Sequence, residues 1–397
     1  MKKLFLLSLL VTLLGCDASK DLGPSSSSGY ALSDGTGLAG GGSVSAPGSA
    51  PPNAPAPKAG VITAGEWHDL SNWPFWQGLM QKEPWTAQSK AWKLSPTEQY
   101  TCLIHSASGQ SAADVHVSVR DGQQRVVWEG TTDRTGRVRV VPQLFDRSVV
   151  GPFAVYAVMG QQSVRLGTLT DPSGDVTFRL PASVAAPAPV VDVQLVVDAT
   201  GSMGDEMEYL KNELTDVVEQ AQRQLPNTTF RMGSVFYRDH GDDYVTRSLP
   251  FTTTLTDVIG FIGEQKAGGG GDFPEAVEEG LQAGINQQWS ASARTRLLFL
   301  LLDAPPHDKP ETIDRMANLV KQAGQKGIRI IPITASGIDK PTEYLMRTMA
   351  IGTQSTYVFI TNHSGIGNNH LEPTIGEYKV EYLNELMTRL IVQYGKP

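Results

Sequence analysis

Residues 190–204 read VVDVQLVVDATGSMG and decide the fold of the second half of the chain. The valine-rich run at 190–197 is almost continuously apolar, which is typical of a central strand covered by helices on both faces. The run ends at Asp198, and helical periodicity follows from about residue 205 to residue 225. A buried strand that passes through a polar turn into a helix is the opening unit of a parallel α/β sheet.

The same alternation continues toward the end of the chain. Further strands are predicted at 229–236, 297–302, 328–334 and 357–360, and helices at 255–262, 274–285 and 380–394. This order predicts an α/β domain over residues 190–395 with a doubly wound, mostly parallel, Rossmann-like sheet. Ligands bind such sheets beyond the carboxyl ends of the strands.

Oxygen-bearing side chains collect at those strand ends. Asp198, Thr200 and Ser202 alternate along the turn after the first strand, so their side chains can converge on one point. A second fully apolar strand also ends in an aspartate, Asp303. One carboxylate with two hydroxyls is a hard-oxygen set that suits Mg²⁺, Mn²⁺ or Ca²⁺, with water completing the shell.

The segment DATGS at 198–202 resembles the metal-ion-dependent adhesion site of von Willebrand factor type A domains, in which a D-x-[ST]-x-S loop follows the first strand. The resemblance covers roughly residues 190–395, and it implies that Asp303 is the metal-binding aspartate after a later strand. Many members carry a threonine in a second loop, whereas the loop GGGGDFPE at 268–275 offers Asp272 as its nearest oxygen ligand. The resemblance therefore implies that Asp272 binds the metal directly or through water. As ordinary chemistry, Pro-Glu at the end of this loop is a helix start.

Two further segments are candidates for the rim of the site. The segment YRDHGDDY at 237–244 resembles a turn of the same family subgroup. Asp239, Asp242 and Asp243 in it could form a second cation site or a partner-binding rim, and the simpler interpretation is an acidic turn beside the site. His307 follows the predicted metal edge and is a rim candidate as well, with a solvent-facing loop histidine as the simpler interpretation.

The first 16 residues predict a lipoprotein signal. Two lysines precede an almost unbroken apolar run at 4–14, which is too short for a membrane-spanning helix. The run ends in LLGC at 13–16, which resembles the lipobox of bacterial lipoproteins and implies a lipidated Cys16. The resemblance places the protein in the bacterial cell envelope. Asp17 favours the inner membrane, facing the periplasm, and the outer membrane is the alternative.

Between this signal and the α/β domain the composition changes three times. Residues 17–60 are rich in Gly, Ser and Pro and predict a disordered linker. Residues 61–99 are dense in tryptophan, which predicts a packing segment, with a carbohydrate or peptide platform as the alternative. Short alternating strands over 100–185 predict a small all-β sandwich, and TDRTG at 132–136 resembles a turn of transthyretin-like and carboxypeptidase-regulatory-like sandwiches. Cys102 is predicted to be a buried small hydrophobe.

Charge and motifs together favour a binding module. The net charge of −8 repels phosphate backbones, so we expect no nucleic-acid partner. The sequence contains no His-Glu-x-x-His, phosphate-loop or Gly-x-Ser-x-Gly motif, so we expect no enzymatic activity. We expect a membrane-anchored module whose cation, Mg²⁺ before Mn²⁺ or Ca²⁺, binds a carboxylate of a partner protein in adhesion or envelope scaffolding. A metal-dependent hydrolase and a module with a purely structural cation are the alternatives.

Overall fold

The computed structural model describes residues 58–396, except positions 173 and 184. The predicted signal, Cys16, Asp17 and nearly all of the predicted linker lie outside the described residues. Within the described part of the chain, every helix is too short or too polar to traverse a bilayer.

The chain up to residue 180 forms one strand, two short helices and two small sheets among the described residues. The strand is β1 (Thr63–Trp67), and the helices are α1 (Trp73–Leu79) and α2 (Glu83–Ala91). The small sheets consist of β2 (Tyr100–His105), β3 (His116–Arg120), β4 (Val126–Thr131), β5 (Arg137–Val140), β6 (Phe153–Met159), β7 (Gln162–Leu169) and β8 (Asp175–Arg179).

These strands form one sheet in the order β5–β2–β8 and another in the order β4–β3–β6–β7. All neighbours are antiparallel except β2 and β8, which run parallel. The predicted all-β unit before the α/β domain is therefore confirmed, with this one parallel pair as a departure from a purely antiparallel sandwich. Cys102 on β2 is fully buried, as predicted, and burial raises the pKa of its thiol to about 12.

A tight hairpin turn links β4 to β5. The Asp133 Oδ1 atom accepts hydrogen bonds from the Thr135 backbone N–H at 2.8 Å and from the Arg137 backbone N–H at 3.0 Å. Gly136 has a φ of +73°, and a Cβ there would lie 2.3 Å from the Ile104 carbonyl oxygen. A glycine is required at this position because an L side chain would collide with β2.

The rest of the chain alternates strands and helices. In chain order these are β9 (Ala188–Asp198), α3 (Gly204–Gln224), β10 (Thr229–Tyr237), β11 (Thr246–Thr252), α4 (Leu255–Glu264), α5 (Val277–Ile285), β12 (Ala293–Leu302), α6 (Pro310–Gln325), β13 (Ile328–Thr334), α7 (Lys340–Gly352), β14 (Tyr357–Ile360), β15 (Val380–Tyr382) and α8 (Leu383–Gly395). Within the described residues they form an eight-stranded sheet in the order β11–β10–β9–β12–β13–β14–β1–β15.

The centre of this sheet is parallel and its borders are antiparallel. Strands β10, β9, β12, β13 and β14 run in one direction, whereas β11 and β1 run against their neighbours. Alternate residues of a strand face opposite layers: Val196 packs in the layer that holds α5, α6 and α7, and Val197 packs in the layer that holds α3, α4 and α8. Burial on both faces explains the continuous apolar runs. The predicted doubly wound, mostly parallel α/β fold is confirmed.

The tryptophan-rich segment packs on this domain. Trp76 and Trp85 lie edge to face with ring centroids 5.6 Å apart, and both lie within 6 Å of the Tyr344 ring on α7. The Trp76 indole N–H donates a hydrogen bond of 2.8 Å to the Pro96 carbonyl. Strand β1, from the same segment, pairs with β14 and β15. The aromatic rings thus belong to the core beside α7.

Candidate metal centre

The predicted site residues meet at the carboxyl edge of the parallel sheet. Strand β9 ends at Asp198, and β12 ends one residue before Asp303. The two strands are parallel neighbours, with Val197 in register with Leu301. Their common direction therefore places both aspartates at one edge, where α/β sheets bind ligands. Both carboxyl groups are buried, with Asp198 completely inaccessible and Asp303 4% exposed.

The loop after β9 brings two hydroxyl groups to Asp198. The Asp198 Oδ1 atom accepts hydrogen bonds from the Thr200 backbone N–H at 2.9 Å and from the Thr200 hydroxyl at 2.7 Å. The Ser202 hydroxyl lies 3.2 Å from the Thr200 hydroxyl, and Ser202 lines the same cleft as Asp303 and lowers the pKa of its carboxyl group. Asp198, Thr200, Ser202 and Asp303 therefore form one continuous cluster of oxygen atoms.

The glycine-rich loop runs beside this cluster. The Gly268 N–H donates to the Ala199 carbonyl at 3.0 Å, and the Gly201 N–H donates to the Gly269 carbonyl at 3.1 Å. Gly270 has a φ of +69°, and a Cβ there would lie 2.7 Å from Glu275 Oε1. The lack of a side chain at this glycine leaves room for the Glu275 carboxylate next to the first loop.

The loop presents its two acidic residues differently. Asp272 lies on the exposed wall of a cleft of about 430 Å³ that Ser202 and Asp303 also line. Glu275 lines the same cleft but is only 3% exposed, and its backbone N–H donates to the Pro305 carbonyl at 2.9 Å. Helix α5 starts at Val277, later than the predicted residue 274. Glu275 is therefore a site residue that the sequence interpretation treated only as a helix start.

Three buried carboxylates in this centre each have an oxygen atom without a hydrogen-bond partner in the described structure: Asp198 Oδ2, Glu275 Oε2 and Asp303 Oδ1. Burial raises the pKa of Asp198 and of Asp303, and the charge of Asp198 raises the pKa of Asp303 further. The charge of Asp303 in turn raises the pKa of Glu275. Burial, followed by the charges of Asp198 and Asp239, raises the pKa of Glu275 to about 9. Carboxylates buried together without a counter-charge repel each other, so the centre favours a cation or a proton.

Tyr237 lies under the centre at the end of β10. Its hydroxyl faces Asp198 but makes no well-formed hydrogen bond in the described structure. Burial, followed by the charges of Asp198 and Asp303, raises the pKa of this phenol well above its ordinary value. The neutral hydroxyl is thus a donor available to the carboxylate cluster.

The predicted rim residues divide into three environments. The Asp239 carboxylate is 8% exposed and lies 2.9 Å from His307 Nε2. Asp242 Oδ2 accepts the N–H groups of Asp239 at 3.1 Å and Gly270 at 2.8 Å, so it holds the glycine-rich loop in place. Asp243 has an 89% exposed side chain and lies 3.9 Å from the Arg238 guanidinium. Asp239 and His307 therefore pair with each other, and Asp243 faces solvent.

Arg238 joins the loops that carry the centre. Its Nε donates to the Ala199 carbonyl at 3.1 Å, and its Nη2 donates to the Lys266 carbonyl at 2.8 Å. Its guanidinium also lies 4.6 Å from the centroid of the Tyr244 ring. The segment 237–244 thus supports the loops 198–202 and 268–275 from below, in addition to supplying acidic groups.

The donor set has the chemistry of a site for a hard divalent cation. Its groups are carboxylates and hydroxyls, which Mg²⁺, Mn²⁺ and Ca²⁺ prefer. The unpartnered oxygen atoms of Asp198, Glu275 and Asp303 fit a ligand role, because buried polar atoms in folded proteins are nearly always satisfied. Thr200 and Ser202 can contribute hydroxyl oxygens, and Asp272 can reach the cleft only from its exposed wall.

Comparison with known proteins agrees with this description. Residues 192–368 match the model of the von Willebrand factor A domain. An ariadne-like RING finger protein of Acanthamoeba polyphaga mimivirus is 30% identical over 176 residues, which is 44% of this chain and 16% of that protein. An alpha-protein kinase of Dictyostelium discoideum is 29% identical over 119 residues, 30% of this chain and 19% of the kinase. The chain spans less than a fifth of the length of both relatives.

Among solved structures, BatB from Bacteroides thetaiotaomicron aligns with 52% of this chain and 99% of its own, at 14% sequence identity and a TM-score of 0.37. The matched region 192–368 contains β10, β12, β13 and β14, most of β9, and both loops of the candidate metal centre. The match to this domain supports the interpretation of the chain as a protein-interaction or adhesion module. The α/β part of this chain thus matches the von Willebrand factor A domain over residues 192–368 and has a mostly parallel sheet flanked by helices.

Proposed function

We propose that this von Willebrand factor A domain binds a partner protein through a divalent cation, with Mg²⁺ as the first choice. The observation that carries the proposal is the group of three buried carboxylates, each with an unpartnered oxygen, at the carboxyl edge of the sheet. A bound cation would neutralise this group and would offer an open position to a carboxylate of the partner.

The protein's own residues have distinct tasks in this proposal. Asp198, Asp303 and the hydroxyls of Thr200 and Ser202 would hold the cation. Hydrogen bonds join Asp198, Thr200 and Ser202, and Asp303 lines the same cleft as Ser202. Glu275 would contribute a further negative charge and would contact the cation directly or through water. The cleft above them is open on the side of Asp272 and Phe273, and Phe273 is 46% exposed. This rim gives a partner an apolar contact next to the cation.

We also propose that the chain is attached to a bacterial membrane through a lipid on Cys16, with residues 17–60 as a linker. The lipobox-like LLGC sequence supports this proposal, and Asp17 favours the inner membrane over the outer membrane. Attachment in the envelope would place the domain where adhesion and scaffolding partners occur. We expect the natural protein to incorporate radiolabelled palmitate in cells and the Cys16→Ser variant to incorporate none. Continued incorporation by the variant would refute the anchor.

Metal binding and partner binding are tested in one series. Titration calorimetry with MgCl₂ measures cation binding to the protein, to Asp198→Ala and to the matched exposed variant Asp243→Ala. Pull-down from envelope extract with Mg²⁺ or with EDTA then measures partner capture by the same proteins. We expect Asp198→Ala and EDTA to abolish both signals, whereas Asp243→Ala keeps cation binding.

The same series separates the alternatives. Capture that survives both EDTA and Asp198→Ala would contradict the metal bridge. Cation binding without any effect on capture would indicate a purely structural cation. Turnover of phosphoester or peptide substrates that disappears in Asp303→Ala would indicate a hydrolase instead of a binding module.

A further inference from the structure

A second charged site lies at the opposite end of the von Willebrand factor A domain. Arg294 and Arg296 lie near the start of β12, and Arg329 lies at the start of β13. Arg294 lies on β12 and Asp303 follows the end of this strand nine residues later, which corresponds to about 30 Å. The hairpin between β4 and β5 faces these arginines from the small sheets and encloses a cavity of about 440 Å³ with them.

Positive charge dominates the lining of this cavity. Six arginines line it together with three carboxylates. The arginines are Arg134, Arg137, Arg139, Arg294, Arg296 and Arg329, and the carboxylates are Glu66, Asp114 and Asp133. Asp114 pairs with Arg296 at 3.1 Å, and Glu66 pairs at 2.8 Å with Arg389, which lies outside the lining. Within residues 58–396, no carboxylate forms an ion pair with Arg139, Arg294 or Arg329.

The three arginines without ion pairs are held by neutral groups. The Arg294 Nη1 atom donates to the Gly395 carbonyl at 3.0 Å. Arg329 donates to the Gln354 carbonyl and lies 5.2 Å from the centroid of the Tyr394 ring. The Arg139 backbone N–H donates to the Gln354 side-chain oxygen at 2.8 Å. The contacts of Arg294 and Arg329 position their guanidinium groups without neutralising the charge, and the Arg139 contact fixes the backbone at that residue.

His68 adds a neutral donor to the same cavity. Its Nδ1 atom accepts a hydrogen bond of 3.0 Å from the Ser71 backbone N–H, so the proton of the neutral ring lies on Nε2. Burial, followed by the charges of Arg139 and Arg329, lowers the pKa of His68 to about 4. Burial and the neighbouring Arg137 also lower the pKa of Arg139. In both cases a neighbouring arginine lowers the pKa further than burial alone does.

We propose that this cavity binds a small anion that carries at least two phosphate groups. Guanidinium groups present pairs of N–H donors that match phosphate oxygens, and three of them here lack an ionic partner. The cavity is of the size of a small-molecule site, and its other lining groups include the donors His68 and Ser71. A ligand with three or more negative charges would balance the arginine excess. This site is independent of the proposed cation site at the other edge.

Binding is tested by calorimetry with sodium tripolyphosphate in magnesium-free buffer of low ionic strength. We expect saturable binding of one tripolyphosphate per chain, which weakens as salt is added. Arg139→Gln and Arg329→Gln should each weaken it by about tenfold or more, since each removes charge-assisted hydrogen bonds. The matched control is Arg165→Gln on β7, because Arg165 is an exposed arginine outside the cavity and its removal should leave the affinity unchanged.

Further variants keep the test decisive. Arg139→Lys preserves the charge but loses the planar donor pair, so it should bind more weakly than the natural protein and more tightly than Arg139→Gln. An equal loss in Arg165→Gln would show general electrostatic attraction and would overturn the site. Citrate that binds more tightly than tripolyphosphate would overturn the phosphate class.

The source of the phosphate is tested separately. Cardiolipin carries two phosphates, so vesicles of cardiolipin and phosphatidylcholine report whether a lipid headgroup enters the cavity. If the protein sediments with these vesicles and the Arg329→Gln variant does not, the site binds a lipid headgroup. If the protein binds tripolyphosphate but not the vesicles, the site binds a soluble anion. If neither probe binds, the proposal is wrong.

Discussion

Two clusters of buried carboxylates lie within the α/β domain or at its contact with the tryptophan-rich segment, and only one of the two contains its counter-charge. In the paired cluster, the fully buried Arg347 guanidinium donates to Asp69 at 2.6 and 2.9 Å and to Glu343 at 3.0 Å. In the carboxylate centre, Asp198, Glu275 and Asp303 form no ion pair with a lysine or arginine of the described residues. Burial removes the charged groups of both clusters from water, which is unfavourable. Only in the paired cluster does an ion pair within the chain offset this desolvation.

The pKa shifts express the same difference. Burial lowers the pKa of Arg347, but Asp69 and Glu343 outweigh it and hold that pKa above its ordinary value. In the centre, burial and mutual repulsion instead raise the pKa of Asp303 and of Glu275. The paired cluster joins the tryptophan-rich segment to α7 through Asp69 and Arg347, whereas the unpaired one is where we propose that an external cation binds.

Breaking the paired cluster should have the largest effect. Arg347→Met leaves Asp69 and Glu343 buried without their cation, and we expect the free energy of unfolding to fall by about 3–5 kcal/mol. Urea unfolding followed by tryptophan fluorescence measures the loss. The control is Arg389→Met, whose side chain is 39% exposed in its pair with Glu66 and should cost less than about 1 kcal/mol. Equal losses in the two variants would contradict the special role of the buried pair.

The opposite sign is expected in the carboxylate centre. Asp303→Asn removes one of the repelling charges, so we expect the metal-free protein to gain about 1–3 kcal/mol in the free energy of unfolding at pH 8. The same variant should lose the rise in Tm that MgCl₂ produces in the natural protein. Thermal unfolding with EDTA and with MgCl₂ measures both effects. A destabilised metal-free Asp303→Asn would show that the carboxylate is structurally satisfied.

The free energy of unfolding should also depend on pH, and the stabilisation by Mg²⁺ should change with pH as well. The folded-state pKa values of Asp198, Glu275 and Asp303 are raised, so the metal-free folded protein binds more protons than the unfolded chain between about pH 4 and pH 9. Its free energy of unfolding should therefore fall as the pH rises through this window, through the contribution of this centre. Because Mg²⁺ competes with protons, stabilisation by Mg²⁺ should be larger at pH 8.5 than at pH 5.5. Measuring Tm across this range in EDTA and in MgCl₂ tests the sign, and a Mg²⁺ effect independent of pH would contradict it.

A smaller effect distinguishes the two acidic residues of the glycine-rich loop. Glu275→Gln should weaken Mg²⁺ binding by about tenfold or more, in the range seen for outer-shell partners of metal sites. Asp272→Asn, on the exposed wall, should change it less than threefold, since a screened surface charge contributes about 0–1 kcal/mol. Calorimetry on both variants decides which carboxylate serves the cation. The reverse order of effects would restore Asp272 as the ligand.

Much of the fold follows from the sequence, because burial on both faces leaves a strong pattern. The strands at 328–334 and 357–360 have the bounds that their apolar runs predict. Strand β1 has no such run, and its partners β14 and β15 lie about 300 residues further along the chain. Helix α5 starts late because Glu275 bonds to the Pro305 carbonyl instead of continuing a helical turn. Long-range pairings of this kind leave no local signal.

The candidate sites show the same division. Four members of the centre are predictable from the sequence. Three of them, Asp198, Thr200 and Ser202, are closely spaced, and the fourth, Asp303, follows the apolar run of β12. Glu275 was missed because a proline followed by a glutamate is explained by helix capping alone. The left-handed turn at Gly270 that admits its carboxylate is a tertiary feature. The arginine cavity was not predicted, since Arg139 and Arg329 are 190 residues apart.

The position of β1 has a consequence for how the domain is presented. Strand β1 runs antiparallel to β14, with Ala64 in register with Ile360, so its first residues lie at the edge of the sheet where the parallel strands end. Residues 58–62 therefore lead into the domain on the side that carries the cleft between Ser202 and Asp303, three strand spacings or about 15 Å from β12. Whatever docks on the cleft shares this side with the incoming chain.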